Sequence, residues 1–339
     1  MKKKWILISL ILLLSVGVII TLVLLLGKEK EIVPKYLDDI VPTIKVKQEK
    51  ILIDADTEYN YLDNVDATFG EDGGDVSCSL VELVVGDNTI TCDSKGNNEK
   101  VSEEVSYIIN VSPTYKKNVI YFGDSITSGW LGNPRGYSWV NYIQKNYDLA
   151  SSKNAGIADY RVSTYDDKNK WLVTQVKNHY NDSTKYDIII MQGGINDMLY
   201  ATPIGTLSDS FDTSSFNANT FIGGLELYIA SVVNKWPDVR VGYIITYFCP
   251  NYTERGLKWD YNAHKKYYDA TIKVLDKWNI PYLDLFAGST GTQSYTEYLK
   301  VYSKDYLPDY LHLNNAGYNK VAPHIYDFMK TLNKYKIEG

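Results

Sequence analysis

Four short apolar runs in the second half of the chain constrain its fold more than any other feature: Val119–Phe122, Tyr186–Gln192, Val239–Phe248 and Pro281–Phe286. Each is rich in β-branched and aromatic residues, and the apolar residues run on rather than alternate, as in strands buried on both faces. Helical stretches separate and follow them at Tyr137–Tyr147, Asp167–Tyr180, Ser215–Trp236, Tyr261–Trp278 and Ala316–Leu332. Strands alternating with helices predict an α/β fold, a three-layer αβα sandwich with a parallel sheet, over residues 116–337. Neither GxGxxG after the first strand nor GxxxxGK[ST] occurs, so no nucleotide site is indicated.

The chain upstream has a different texture. Lys2-Lys3-Lys4 precede Trp5–Leu26, 22 residues without a charge. As a helix this run would span about 33 Å, enough for a bilayer core. No small-x-small cleavage pattern follows it, so residues 1–27 are expected to form an uncleaved signal anchor, one transmembrane helix, with a cleaved leader as the alternative. The basic start places the rest of the chain outside the cell membrane, at a bacterial cell surface. Residues 28–40, charged and containing Pro34, read as a stalk. Residues 41–113 carry short strand patterns between turn residues, including Val81–Val85 and Thr89–Cys92 around Gly86-Asp87-Asn88. That spacing predicts a small all-β sandwich. Its second half resembles bacterial immunoglobulin-like or cadherin-like surface modules, which implies a spacer or a glycan binder.

Cys78 and Cys92 fall in neighbouring expected strands, and an oxidising compartment permits a disulfide. A hairpin centred on Gly86-Asp87 does not set them opposite, so the pairing stays open. Cys249 is left without a partner in its own domain and reads as a reduced structural thiol. The net charge of −6 disfavours nucleic acid as a partner, which wants a basic face.

The ends of the expected strands hold the chemistry. Val119–Phe122 runs into Gly123-Asp124-Ser125-Ile126-Thr127, a sharp turn that presents a hydroxyl where open α/β sheets bind ligands. Asn154-Ala155-Gly156 is a glycine loop able to present a backbone N–H, and Gly193-Gly194-Ile195-Asn196-Asp197 offers an amide donor. Near the end, Asp309-Tyr310-Leu311-His312 sets a carboxylate three residues from an imidazole, a spacing that lets the acid orient the ring toward a serine. Each fragment alone is also ordinary turn or capping chemistry. The other histidines, His179, His264 and His324, read as helix-surface or packing positions.

Together the four segments resemble the blocks of the SGNH hydrolase superfamily, the GDSL-like esterases, over essentially all of residues 118–335. The resemblance implies Ser125 as nucleophile, His312 as general base and acid, and Asp309 as orienting acid. It implies an oxyanion hole from the N–H groups of Ser125 and Gly156 and the side chain of Asn196. Asp124 is then left to hold the turn in shape. Two positions depart from the pattern: the first block reads GDSIT rather than GDSL, and Tyr310 stands where many members have glycine. No cofactor and no metal site is expected, since neither HExxH nor paired cysteines occur in the domain. The expected activity is ester hydrolysis on an acylated carbohydrate, with O-acetyl as the first choice of acyl group. A lipid or lysophospholipid esterase, a glycan O-acyltransferase and a non-catalytic surface adhesin are the rival readings.

Overall fold

The computed structural model describes residues 39–247, 249, 253–254, 257–258, 261–287 and 305–336. The expected membrane helix and most of the stalk lie outside these residues. No described helix is long and apolar enough to cross a membrane. The chain divides into two compact units, one within residues up to 109 and one comprising residues from Asn110 on together with 52–58 and 83–87.

In the first part of the chain β1 (Thr43–Val46) pairs antiparallel with β3 (Val65–Thr68). A second sheet has the order β2-β6-β5-β4, from β2 (Lys50–Asp54), β4 (Gly74–Cys78), β5 (Gly86–Gly96) and β6 (Val105–Ser112). Alternate residues of β5, among them Ile90, Cys92 and Ser94, are buried, the period expected of a strand with one covered face. The expected strand Val81–Val85 does not form. Val84 and Val85 are exposed and Val81 and Leu83 half-buried, and the run belongs to a wide loop that carries the chain from β4 to β5. Pairing therefore centres earlier than a Gly86-Asp87 hairpin would require. This register sets Cys78 directly opposite Cys92, and the two form a disulfide.

The second unit is built on a five-stranded parallel sheet of order β11-β10-β9-β7-β8. Its strands are β7 (Asn118–Phe122), β8 (Ser151–Asn154), β9 (Ile188–Gln192), β10 (Arg240–Ile245) and β11 (Tyr282–Asp284). Side chains alternate between its faces. Ile120, Phe122, Ile189 and Met191 pack with α3 (Leu172–Lys177), α5 (Phe221–Val233) and α6 (Tyr261–Lys277). Val119, Tyr121, Ile188 and Ile190 pack with α2 (Trp139–Asn146) and α7 (Asn315–Lys330) on the other side. Burying each such side chain is worth about 1.5–3 kcal/mol, so the two clusters commit the sheet to three layers. Two one-turn helices complete the unit: α1 (Ser125–Ser128) after β7 and α4 (Ile195–Leu199) after β9.

The strand order places β8 and β9 on opposite sides of β7, so the chain passes from β7 to β8 on one side and then crosses to β9 on the other. The crevice at the carboxyl ends of β7 and β9 is the switch point where such sheets bind ligands. Both one-turn helices begin there.

Candidate active site

Gly123 ends β7 and lets the chain turn away from the sheet. A Cβ at Gly123 would lie 2.2 Å from the Thr127 hydroxyl and 2.7 Å from the Gln192 amide oxygen, so only glycine fits without displacement. The Gln175 side chain brackets it, accepting the Gly123 N–H at 3.0 Å and donating to its carbonyl at 2.8 Å. Asp124 is the N-cap of α1, its carboxylate accepting the Ile126 N–H at 3.0 Å. Gln192, the last residue of β9, donates to the other Asp124 oxygen at 3.0 Å and accepts from Thr127 at 2.8 Å. Asp124 thus shapes the turn. Burial pushes its carboxyl up to about 6, against the pull of the Ile126 N–H, the Gln192 amide and His312.

This turn delivers Ser125 to the imidazole. Its Oγ lies 2.9 Å from His312 Nε2, and His312 Nδ1 lies 2.7 Å from an Asp309 oxygen. The other Asp309 oxygen accepts the Leu311 and His312 N–H groups at 3.0 and 2.7 Å, so acid and base are locked in one turn. Tyr310 within that turn has φ +64°, the left-handed region, which gives a physical reason for glycine to suit this position. Burial raises the Asp309 carboxyl, but the His312 ring and the two N–H groups outweigh it and hold its pKa below the usual value. Tyr318 of α7 donates to the Ile126 carbonyl at 2.8 Å, and Tyr247 donates to the Leu311 carbonyl at 2.7 Å. Tyr318 thus ties α7 to the serine turn, and Tyr247 ties the histidine turn to the segment that follows β10.

The expected oxyanion residues gather at the same edge. Ser125 is the first residue of α1, where a backbone N–H has no acceptor within the helix. Gly156 packs so closely on α1 that a Cβ there would lie 2.5 Å from the Ser128 nitrogen. Its N–H donates to the Asn154 side chain at 2.9 Å. Asn196, in the first turn of α4, uses one Nδ2 hydrogen on the Tyr160 carbonyl at 2.9 Å. The Tyr160 carbonyl takes only one of the two Nδ2 hydrogens. Asp197, which reads from sequence as a simple cap, accepts the Val162 and Ser163 N–H groups at 2.9 and 3.0 Å. Asn196 and Asp197 thereby clamp the loop after β8 onto the loop after β9. Asp197 is fully buried, and burial pushes its carboxyl up to about 6.

His264, expected on a helix surface, is buried on α6 against Phe286, and burial pushes its pKa down to about 3. Cys249 is buried and free. Among the described residues no cluster of three or more His, Cys, Asp or Glu is placed to hold a metal ion.

A family model described as GDSL-like lipase/acylhydrolase matches residues 121–320. No curated protein matches the chain. One solved crystal structure is 23% identical and aligns with a TM-score of 0.51 over 63% of this chain and 95% of its own. A protein of Lactobacillus plantarum is 21% identical over 63% of this chain and 96% of its own, with a TM-score of 0.48. The lipase/acylhydrolase of Enterococcus faecalis is 18% identical over 65% of this chain and 99% of its own, with a TM-score of 0.40.

Proposed function

The chain belongs to the GDSL-like lipase/acylhydrolase family and is a carboxylic ester hydrolase, and from that premise we propose that it removes O-acetyl groups from a carbohydrate through an acyl-enzyme on Ser125. The observation that carries the mechanism is the hydrogen-bonded relay Ser125–His312–Asp309, with links of 2.9 and 2.7 Å. A serine hydroxyl is a weak nucleophile, so His312 Nε2 takes its proton as Oγ attacks the ester carbon. The oxyanion is met by the Ser125 N–H, the second Nδ2 hydrogen of Asn196 and the Gly156 N–H, which shares its bond to Asn154. Collapse breaks the ester bond, and His312 passes its proton to the departing sugar oxygen. Water, deprotonated by the same ring, then attacks the acyl-enzyme and releases acetate with Ser125 restored. Asp309 stays charged and holds the ring in the tautomer that faces Ser125.

The sugar assignment rests on the expected setting and on the insertion after α4. The run Trp5–Leu26 would tether the enzyme outside the membrane, and the strands of residues 43–112 would serve as an immunoglobulin-like spacer reaching toward cell-surface glycans. Residues 200–216 mix Asp209, Asp212 and several serines with isolated apolar residues, unlike the broad apolar cover a lipase needs. Acetate release from O-acetylated polysaccharides, beside 4-nitrophenyl esters of increasing chain length, tests the assignment. Release of acetate and a preference for short chains is expected. A preference for long chains would replace it with the lipid reading, and no turnover on any ester with the adhesin reading.

A further inference from the structure

The loop that follows the serine turn carries two residues that the hydrolytic relay does not use. Trp130 is 42% exposed, while the other described tryptophans are buried or packed against the core. Its ring centroid lies 6.4 Å from that of His312, and its backbone N–H donates to the Ser125 carbonyl at 3.1 Å. The loop is held rather than loose. Asn315 accepts the Asn133 N–H at 2.8 Å and donates to its carbonyl at 2.6 Å, and Tyr137 donates to Asn319 at 2.6 Å. A Cβ on Gly129 or Gly132 would lie 2.5 or 2.0 Å from the Tyr137 carbonyl oxygen, so the loop closes tightly on itself. The Arg135 guanidinium lies 4.0 Å over the Trp130 ring. No carboxylate pairs with Arg135 among the described residues, although the chain carries a net charge of −6.

We propose that Trp130 and Arg135 form the subsite for the alcohol half of the ester, and that this alcohol is a sugar ring bearing an anionic group. The placement follows from the chemistry, because His312 hands its proton to the departing alcohol, which must therefore lie on the imidazole side of Ser125. Trp130 stands on that side and offers an apolar face to the C–H face of a sugar ring. Arg135, fixed by its stack on the indole, supplies a planar fork of donors suited to a carboxylate or a phosphate. The inference rests on the proposed hydrolysis for its direction and adds the charge of the leaving group.

The test compares three probes on the purified protein: the monoacetates of methyl glucoside, of methyl glucuronoside and of a methyl glucoside phosphate. The wild-type enzyme is expected to favour an anionic probe in kcat/KM through a lower KM. Arg135→Gln should reduce that preference about tenfold, the size of one charge-assisted hydrogen bond, and Arg135→Lys should keep part of it. Trp130→Ala should raise KM for charged and neutral sugar esters alike. Preference for the glucuronoside or for the phosphate identifies which anion the site takes. Calorimetric titration with unacylated methyl glucuronoside and methyl glucoside phosphate gives a readout independent of turnover, with binding expected for one and lost in Arg135→Gln. Turnover of all three acetates without preference for charge, or a preference that Arg135→Gln leaves intact, overturns the subsite while the hydrolase reading stands. Absence of turnover with binding that depends on Arg135 overturns the hydrolase reading instead, and absence of such binding together with absence of turnover overturns both.

Discussion

Asn196 has two hydrogens on one amide nitrogen and two tasks to divide between them. One hydrogen fixes the Tyr160 carbonyl and so holds the loop after β8 in place. The other faces the developing oxyanion in the mechanism proposed above. Asn196→Ala is therefore expected to lower kcat by about 10²–10³, the usual cost of one oxyanion donor, with a smaller change in KM. Steady-state kinetics on a short-chain ester checks this, and a rise in KM at constant kcat would mean that Asn196 binds the ground state instead. In the proposed mechanism Asp309 holds the ring without touching substrate, so Asp309→Asn should retain a small residual turnover where His312→Ala retains none above background. The hydrogen-bonded trio Ser125, His312 and Asp309 was legible in the sequence because each member occupies a short segment of recognisable chemistry. Gln175 and Gln192 were not. Nothing in the sequence near either glutamine marks it as a partner of Gly123 or Asp124, because those bonds form between segments 52 to 68 residues apart.

At the level of elements, the strands buried on both faces announced themselves, and one polar edge strand did not. β7, β9 and β10 carry continuous apolar runs because helices cover both their faces. β8, with the sequence Ser151-Ser152-Lys153-Asn154, is an edge strand paired only with β7, and its polar composition is indistinguishable from a loop. The reverse occurred at Val81–Val85, where a run of strand-forming residues lies in a loop with Val84 and Val85 exposed. Helix contacts brought a further feature that periodicity alone does not reveal. Glu226 of α5 is 1% exposed and pairs with Lys277 of α6, whose ammonium also donates to the Ser210 carbonyl at 2.7 Å and faces the rings of Phe211 and Phe216 at 4.9 and 5.0 Å. Lys277→Met would leave a buried charge alone and should cost about 3–5 kcal/mol in chemical denaturation. Adding Glu226→Leu should recover much of that loss. An unchanged unfolding midpoint in the single variant would show that the pair carries little of the packing of α5 on α6.

For the molecule as a whole, the carboxylates that build the site set how stability responds to pH. Asp124 and Asp197 are fully buried, and burial raises both from the ordinary 3.8 to about 6. Between those values the folded chain binds more protons than the unfolded one, so stability falls as pH rises from about 4 to about 6. Each contributes on the order of 3 kcal/mol to that fall. Asp309 works in the opposite sense. Its lowered pKa gives stability that is present above its ordinary value and lost as acid brings the pH down through its folded value. Unfolding free energies measured across this range should therefore rise on mild acidification, and Asp197→Asn should flatten the slope. A stability that climbs steadily from pH 4 to 6 would contradict the assignment of buried acids. The most direct test of the account is covalent capture of the nucleophile. Treating the protein with a fluorophosphonate and mapping the adduct by peptide mass should place one label on Ser125 as ester turnover disappears, with neither label nor turnover in Ser125→Ala. Full turnover in Ser125→Ala, or stoichiometric inactivation with the label on another residue, would contradict it.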